Sequence, residues 1–175
     1  MSEPKPKKAQ VLEVRLATPD DSVAIAEVLR DAFTVYRKHY TEDAFAVVTP
    51  GRDEILGRFE EGPMWVAEME GEVVGTVSLT TGPEGLYVRS MAVAPTAQGR
   101  GIGHLLLEAI HEYAEATQFE RIFLYTTYFV PGAKEMYAKH GYKWVRDTTA
   151  DEWYGTPGLE MDKRVERKTQ NAIGS

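Results

Sequence analysis

At 175 residues the chain is long enough for one domain with its own core. A 43% hydrophobic and 27% charged composition is ordinary for a soluble globular fold. The net charge of −7 argues against nucleic acid as a partner, which wants a basic face, and suits an amine or other cationic ligand. The absence of cysteine excludes disulfides, thiolate metal sites and a cysteine nucleophile. No apolar run approaches the roughly 20 residues that span a bilayer, so no membrane partner is expected.

Residues 1–10 carry lysines but no apolar signal core and read as a disordered lead-in. The domain is expected over 11–165, with a polar tail over 166–175. Val11 to Ala17 alternates as a first strand. Thr18-Pro19-Asp20-Asp21 then opens a helix, with Thr as cap, Pro in the first turn and carboxylates at the positive end. Ile25, Val28, Leu29, Ala32, Phe33 and Tyr36 form its apolar stripe. The segment from Tyr36 to Tyr40 is dense in polar aromatics, and a second helix is expected from Arg52 to Glu60 after the breaker Pro50-Gly51.

Met64 to Met69 and Glu72 to Thr80 read as a hairpin turned by Glu70-Gly71, with a further strand over Leu86 to Val93. The next helix carries a stripe of Ile102, Leu105, Leu106, Ala109, Ile110 and Tyr113 at helical period. Arg121 to Thr127 is β-branched and aromatic, hence a strand. Pro131 and Gly141 bracket another helix, and Tyr142 to Arg146 and Gly158 to Lys163 close the chain as strands around a Trp153-Tyr154 loop. The order β-α-α-β-β-β-α-β-α-β-β implies a mixed α/β sheet covered by helices.

The run Gln98-Gly99-Arg100-Gly101-Ile102-Gly103 stands between the Leu86 strand and its helix. Glycines at alternate positions leave backbone N–H groups open to one anion, and the helix N-terminus adds unpaired donors and positive potential. A ligand-free turn is the plain alternative. A dinucleotide fingerprint needs a third glycine, but His104-Leu105-Leu106 follows; a Walker loop needs Gly-Lys-Ser/Thr, which is absent.

Gln98, Gly101 and Gly103 match the pattern Gln/Arg-x-x-Gly-x-Gly/Ala, and Met91-Ala92-Val93-Ala94-Pro95 precedes it. About thirty residues on, Ala133-Lys134-Glu135-Met136-Tyr137-Ala138-Lys139-His140-Gly141-Tyr142 resembles the helix motif A-x-x-L-Y-x-x-x-G-F. In these two ordered motifs the chain resembles the GNAT acyltransferase superfamily, over roughly Val11 to Val165. The resemblance implies a mixed, mostly antiparallel central sheet flanked by helices and acetyl-CoA as co-substrate.

It further implies a cofactor site made by the backbone of Gln98, Gly99, Arg100, Gly101, Ile102, Gly103 and His104 and by the strand Met91, Ala92 and Val93, with the Val93 N–H as oxyanion donor. Tyr137 becomes the general acid: a phenol is protonated at neutral pH and can donate to the departing thiolate. Two positions depart from the family. Val130 replaces an asparagine before the Ala133 helix, and Arg89 or Ser90 stands where many members carry a glutamate base. Glu68, His39 or a water chain are the remaining candidates for that base. Tyr36, His39, Tyr40, Trp153 and Tyr154 are candidates for the acceptor pocket. His104, His111 and His140 do not form a metal-ligand pattern, so no metal is expected.

The sequence thus points to a cytoplasmic N-acetyltransferase that moves an acetyl group to a small-molecule amine or amino acid by direct transfer. A protein or peptide amine, a non-catalytic acyl-CoA-binding module and a nucleotide-dependent oxidoreductase are the alternatives. Apolar strands at the C-terminal end are candidates for pairing between chains in a homodimer.

Overall fold

The computed structural model describes residues 11–167. The lead-in over 1–10 and most of the expected tail lie outside the described residues.

The elements run β1 (Leu12–Leu16), α1 (Ser22–Thr34), α2 (Glu42–Val48), α3 (Arg52–Arg58), β2 (Met64–Met69), β3 (Glu72–Gly82) and β4 (Gly85–Val93). They continue as α4 (Ile102–Glu115), β5 (Arg121–Thr126), α5 (Ala133–Lys139), β6 (Lys143–Thr148) and β7 (Gly158–Arg164). One helix, α2, was not expected. Thr41 caps it by accepting from the Ala44 N–H at 3.1 Å, and Glu42 and Asp43 sit in its first turn. Thr18 and Asp21 form a reciprocal capping box at the entry to α1, as the Thr-Pro-Asp-Asp start implies.

The seven strands form one sheet in the order β1-β2-β3-β4-β5-β7-β6. Every neighbouring pair is antiparallel except β4 and β5. The β2–β3 turn has φ of 54° at Glu70 and 81° at Gly71, the doubly left-handed geometry a two-residue hairpin favours. The last strand, β7, inserts between β5 and β6, which leaves β6 at the sheet edge with Trp144 and Val145 exposed.

Each face of the sheet buries its own cluster. Ile102, Leu106, Leu107 and Ile110 of α4 pack on Leu79, Leu86 and Leu124 on one side. Ile25 and Leu29 of α1 and Ile55 of α3 pack on Met64, Val66 and Ala92 on the other. The α4 stripe is rotated from the expected one: Leu107 is fully buried and Leu105 is 37% exposed. The 102-106-110-114 ridge centres on the sheet, so its Leu107 flank turns inward and its Leu105 flank outward. Among the described residues no helix is long and apolar enough to cross a membrane.

Candidate active site

A break in regular pairing makes the site. β4 and β5 pair only over Leu86–Ile122, Tyr87–Phe123 and Val88–Leu124, although both strands continue. Beyond Val88 they part and open a wedge in the sheet.

On its other side β4 carries a bulge. Thr76 faces Ala92 and Ser78 faces Arg89, so Ser90 and Met91 together oppose Val77. Ser90 has φ of 55°, a left-handed conformation that costs a non-glycine residue on the order of 1 kcal/mol. The extra residue reverses the strand's alternation. Leu86 and Val88 face α4 before the bulge, and Met91 and Val93 face it afterwards.

The ladder also orients Val93. The Ala94 N–H bonds the Val74 carbonyl at 2.7 Å, and Val93 faces Gly75. Antiparallel pairs alternate between bonded and unbonded, so the Val93 N–H and carbonyl point away from β3 into the wedge. The carbonyl accepts from Gln98 Nε2 at 3.2 Å, which ties the strand end to the glycine run.

The glycine run leads into α4 without a side-chain cap. Gly99 and Gly101 have φ of 80° and 77°, and a Cβ on either would meet nothing within 4 Å. Their surroundings are open, as a backbone cradle for an anion requires. Gly103 differs. A Cβ there would lie 2.9 Å from Met136 Sδ and 3.3 Å from Met91 Cε, so this glycine lets α5 and β4 approach the helix. Arg100 Nη1 lies 3.7 Å from Met69 Sδ.

Two cavities open on the wedge. A groove of about 350 Å³ runs along Met91, Ala92, Val93 and the glycine run to His104. A larger cavity of about 760 Å³ lies beside it, lined by the outward residues of β4 and β5 and by the 151–156 loop. Phe33, Met91, Val130, Ala133 and Tyr137 line both. Val130, which stands where the family motif has asparagine, is thus an apolar part of the shared wall.

Tyr137 is 8% exposed, and its hydroxyl lies 3.7 Å from Met91 Sδ. Burial, with Tyr87 adding to it, pushes its pKa well above the usual phenol value. It is therefore protonated at any physiological pH.

Tyr40, Trp153 and Tyr154 line the larger cavity. Burial raises the Tyr40 phenol to about 12. Thr41 holds the 153–156 loop against α2, donating its hydroxyl to the Tyr154 carbonyl at 2.5 Å and its N–H to Thr156 Oγ1 at 3.3 Å. Tyr36 lines the glycine-run groove instead. His39 does not line either cavity; it stacks on Phe129 with centroids 4.8 Å apart. Glu68 is absent from both walls as well. It holds Arg15 at 2.6 Å on β1 and β2, so its carboxylate is committed elsewhere.

The larger cavity also uses side chains that the sequence did not single out. Tyr87 and Tyr125 line it and pack with Phe123 in an aromatic run. Their signal was present as alternation with the buried aliphatics of β4 and β5. Arg58 lines it too, from the end of α3, and nothing local in the sequence marks it.

His104, His111 and His140, which carry no metal-ligand pattern in the sequence, lie close together. His104 Nδ1 is 2.6 Å from His140 Nε2, and His111 bonds the Tyr142 hydroxyl at 2.8 Å. Among the described residues no group of His, Asp and Glu is arranged to hold a metal ion.

The chain matches the acetyltransferase (GNAT) family model over residues 23–142. An uncharacterized N-acetyltransferase, YjgM of Escherichia coli, is 30% identical over 136 residues, which cover 74% of this chain and 81% of the relative. An amino-acid acetyltransferase of Mycobacterium tuberculosis is 33% identical over 88 residues, 48% of each chain. Among solved structures, yncA of Salmonella typhimurium, determined with its cofactor acetyl-CoA, superposes with a TM-score of 0.73 at 16% identity, covering 93% of this chain and 99% of the other. A family match across more than half of the sequence, with a relative 30% identical over 74% of it, makes this chain a member of the GNAT acetyltransferase family.

Proposed function

We propose that this acetyl-CoA-dependent N-acetyltransferase acts in the cytoplasm and acetylates the primary amine of a small molecule, by direct transfer with both substrates bound. The observation that carries the reading is the junction of the two cavities at Tyr137, Met91, Val130, Ala133 and Phe33. A donor in one cavity and an acceptor in the other would meet there.

Acetyl-CoA is the family's co-substrate, and the groove fits it. The open faces of Gly99 and Gly101 and the uncapped start of α4 form an anion cradle, and the β4 end turns the Val93 N–H toward the wedge. The N–H groups from Gln98 to His104 would hold the phosphates, and Met91, Ala92 and Val93 would line the arm. Bound there, acetyl-CoA supplies an activated acyl thioester. The Val93 N–H, aimed into the wedge, is the donor we assign to the developing oxyanion. Tyr137, a phenol protonated at neutral pH, donates the proton that the leaving sulfur needs.

With no cysteine in the chain, a cysteine-linked acyl intermediate is excluded. The amine proton leaves through water along the hydroxyls of Ser90, Thr126 and Thr127 on the cavity wall. The pinned 153–156 loop favours a small acceptor over a folded protein surface. The likeness to an amino-acid acetyltransferase points the same way.

CoA thiol release over an amine panel tests the reading. Turnover with small amines and intersecting double-reciprocal plots is the expected result. Parallel plots would replace direct transfer with a covalent intermediate, and acetyl-CoA binding without turnover on any amine would reduce the chain to a binding module.

A further inference from the structure

The larger cavity carries two guanidiniums that the acetyl-transfer chemistry does not use, on a lining that also holds Glu54, Asp151 and Glu152, the last paired with Arg146. Arg58 and Arg89 both line it, one from the end of α3 and one from β4 just before the bulge. Arg58 donates from Nη1 to Ser90 Oγ at 2.8 Å and from Nη2 to the Val47 carbonyl at 3.3 Å. Among the described residues no carboxylate lies within ion-pair distance of it. Glu54 and Glu61 act on it only through space, and both are exposed. Arg89 holds Glu61 through Nη2 at 2.5 Å, while its Nε is buried and has no hydrogen-bond partner.

Burial and the neighbouring Arg89 both disfavour the charge on Arg58. Two half-buried guanidiniums sharing a wall, one without an acid and the other with an orphaned donor, are costly in a resting protein. A ligand carboxylate in the cavity would give Arg58 the acid it lacks and offset the charge of both, because guanidinium and carboxylate match in charge and in planar fork geometry.

Resting on the acetyltransferase reading above, we propose that the acceptor is an amino acid in the broad sense, an amine that also bears a carboxylate, and that Arg58 and Arg89 bind that carboxylate. Arg89 and Met91 flank the bulge at Ser90 and both line the larger cavity, so the carboxylate wall and the cavity junction belong to one small-molecule site. A cavity of about 760 Å³ leaves room for a sizeable side chain. Arg58 also braces the bulge through Ser90, so its test must separate positioning of the strand from binding of substrate.

The experiment compares α-, β- and γ-amino acids with their own carboxamides at saturating acetyl-CoA. The carboxamide amine is the less basic of each pair and enters more readily as the free base, so this comparison works against the proposal. Wild-type kcat/KM should favour the acid by about 100-fold for the best pair, the size expected for a lost charge-assisted contact in a polar pocket. Arg58→Gln should bring the ratio below about 5, and Arg58→Lys, which keeps the charge without the fork, should fall between. A purely bracing role would lower kcat for acid and amide alike and leave the ratio unchanged, which would overturn the proposal.

Calorimetric titration of the same acids into the CoA-bound protein separates the two readings. Acid binding that Arg58→Gln removes, with no turnover, supports the carboxylate site and overturns amine acetylation. Turnover that ignores the carboxylate does the reverse, and neither binding nor turnover overturns both.

Discussion

The two cavities that meet at Tyr137 are built from different materials. The glycine-run groove is a backbone site: left-handed glycines, an uncapped helix start and a strand end with its N–H turned outward. The larger cavity is a side-chain site, assembled from α1, α3, β4, β5 and a loop pinned to α2. A backbone site tolerates almost any sequence that keeps its conformation and fixes one ligand chemistry. A side-chain site can be rebuilt residue by residue, so one side can stay constant while the other changes its acceptor.

The largest effect expected from breaking that division is at Gly101. In Gly101→Val, φ of 77° becomes strained and a branched side chain occupies the open face. Losing about two charge-assisted contacts should raise the acetyl-CoA KM on the order of 10³-fold. Steady-state kinetics with acetyl-CoA varied would show it, and an unchanged KM would remove the cradle from cofactor binding. The same change at Gly103 presses on Met136 and Met91 instead, and its effect should appear as lost stability at least as much as lost affinity.

Tyr137→Phe comes next. It removes a hydroxyl whose partner in the structure is the Met91 sulfur, so packing should survive. If the phenol is the proton donor, kcat should fall about 10²-fold with little change in the acetyl-CoA KM. A kcat within about twofold of wild type would take Tyr137 out of the chemistry. The two variants then sort cleanly, one into KM and the other into kcat.

The contrast between the sites also explains what could be read in the sequence. The groove is local: Gln98 to Gly103 and the strand before it are contiguous, and a helix period reveals α4 and its start at Ile102. Tyr137 came from a second local motif. The larger cavity depends on contacts far apart in sequence, such as Thr41 with Tyr154 and Arg58 with Ser90, which no local pattern encodes. The helix α2 was hidden for a related reason. Its seven residues include Val47 and Val48, which suit a strand equally well, and its capping residue Thr41 also anchors the 153–156 loop. The insertion of β7 between β5 and β6 is equally non-local, and so is the inward turn of Leu107.

A smaller effect is expected at Trp153, which lines only the larger cavity. Trp153→Ala should raise the acceptor KM by about 10-fold, the scale of one aromatic contact, and leave the acetyl-CoA KM near wild type. Equal effects on both substrates would mean that the cavities are one site with shared determinants, and the division drawn above would fail.

The smallest effect is away from both cavities and concerns pH. His111 on α4 bonds the Tyr142 hydroxyl and faces Lys163 and His140, with His104 beyond His140. Burial first, then Lys163 and His140, hold its pKa down at about 3, against about 6.5 for a histidine in the unfolded chain. Between those values the unfolded state binds the proton and the folded state does not. Stability therefore falls as pH drops from about 6.5 toward 3 and is fully present above 6.5. His140 is shifted in the same direction and steepens the slope. His111→Gln keeps a hydrogen-bonding group near Tyr142 but cannot titrate. Its melting temperature should fall less than that of wild type between pH 7 and pH 5, by about 3 °C. The difference should shrink if Lys163 is also replaced by Met, because one of the cations that keeps His111 neutral is then gone. Parallel acid limbs for wild type and His111→Gln would place the acid sensitivity elsewhere, in the Arg15–Asp21–Glu68 cluster, whose Asp21 carboxyl is held low by Arg15 and so also loses its stabilising charge on acidification.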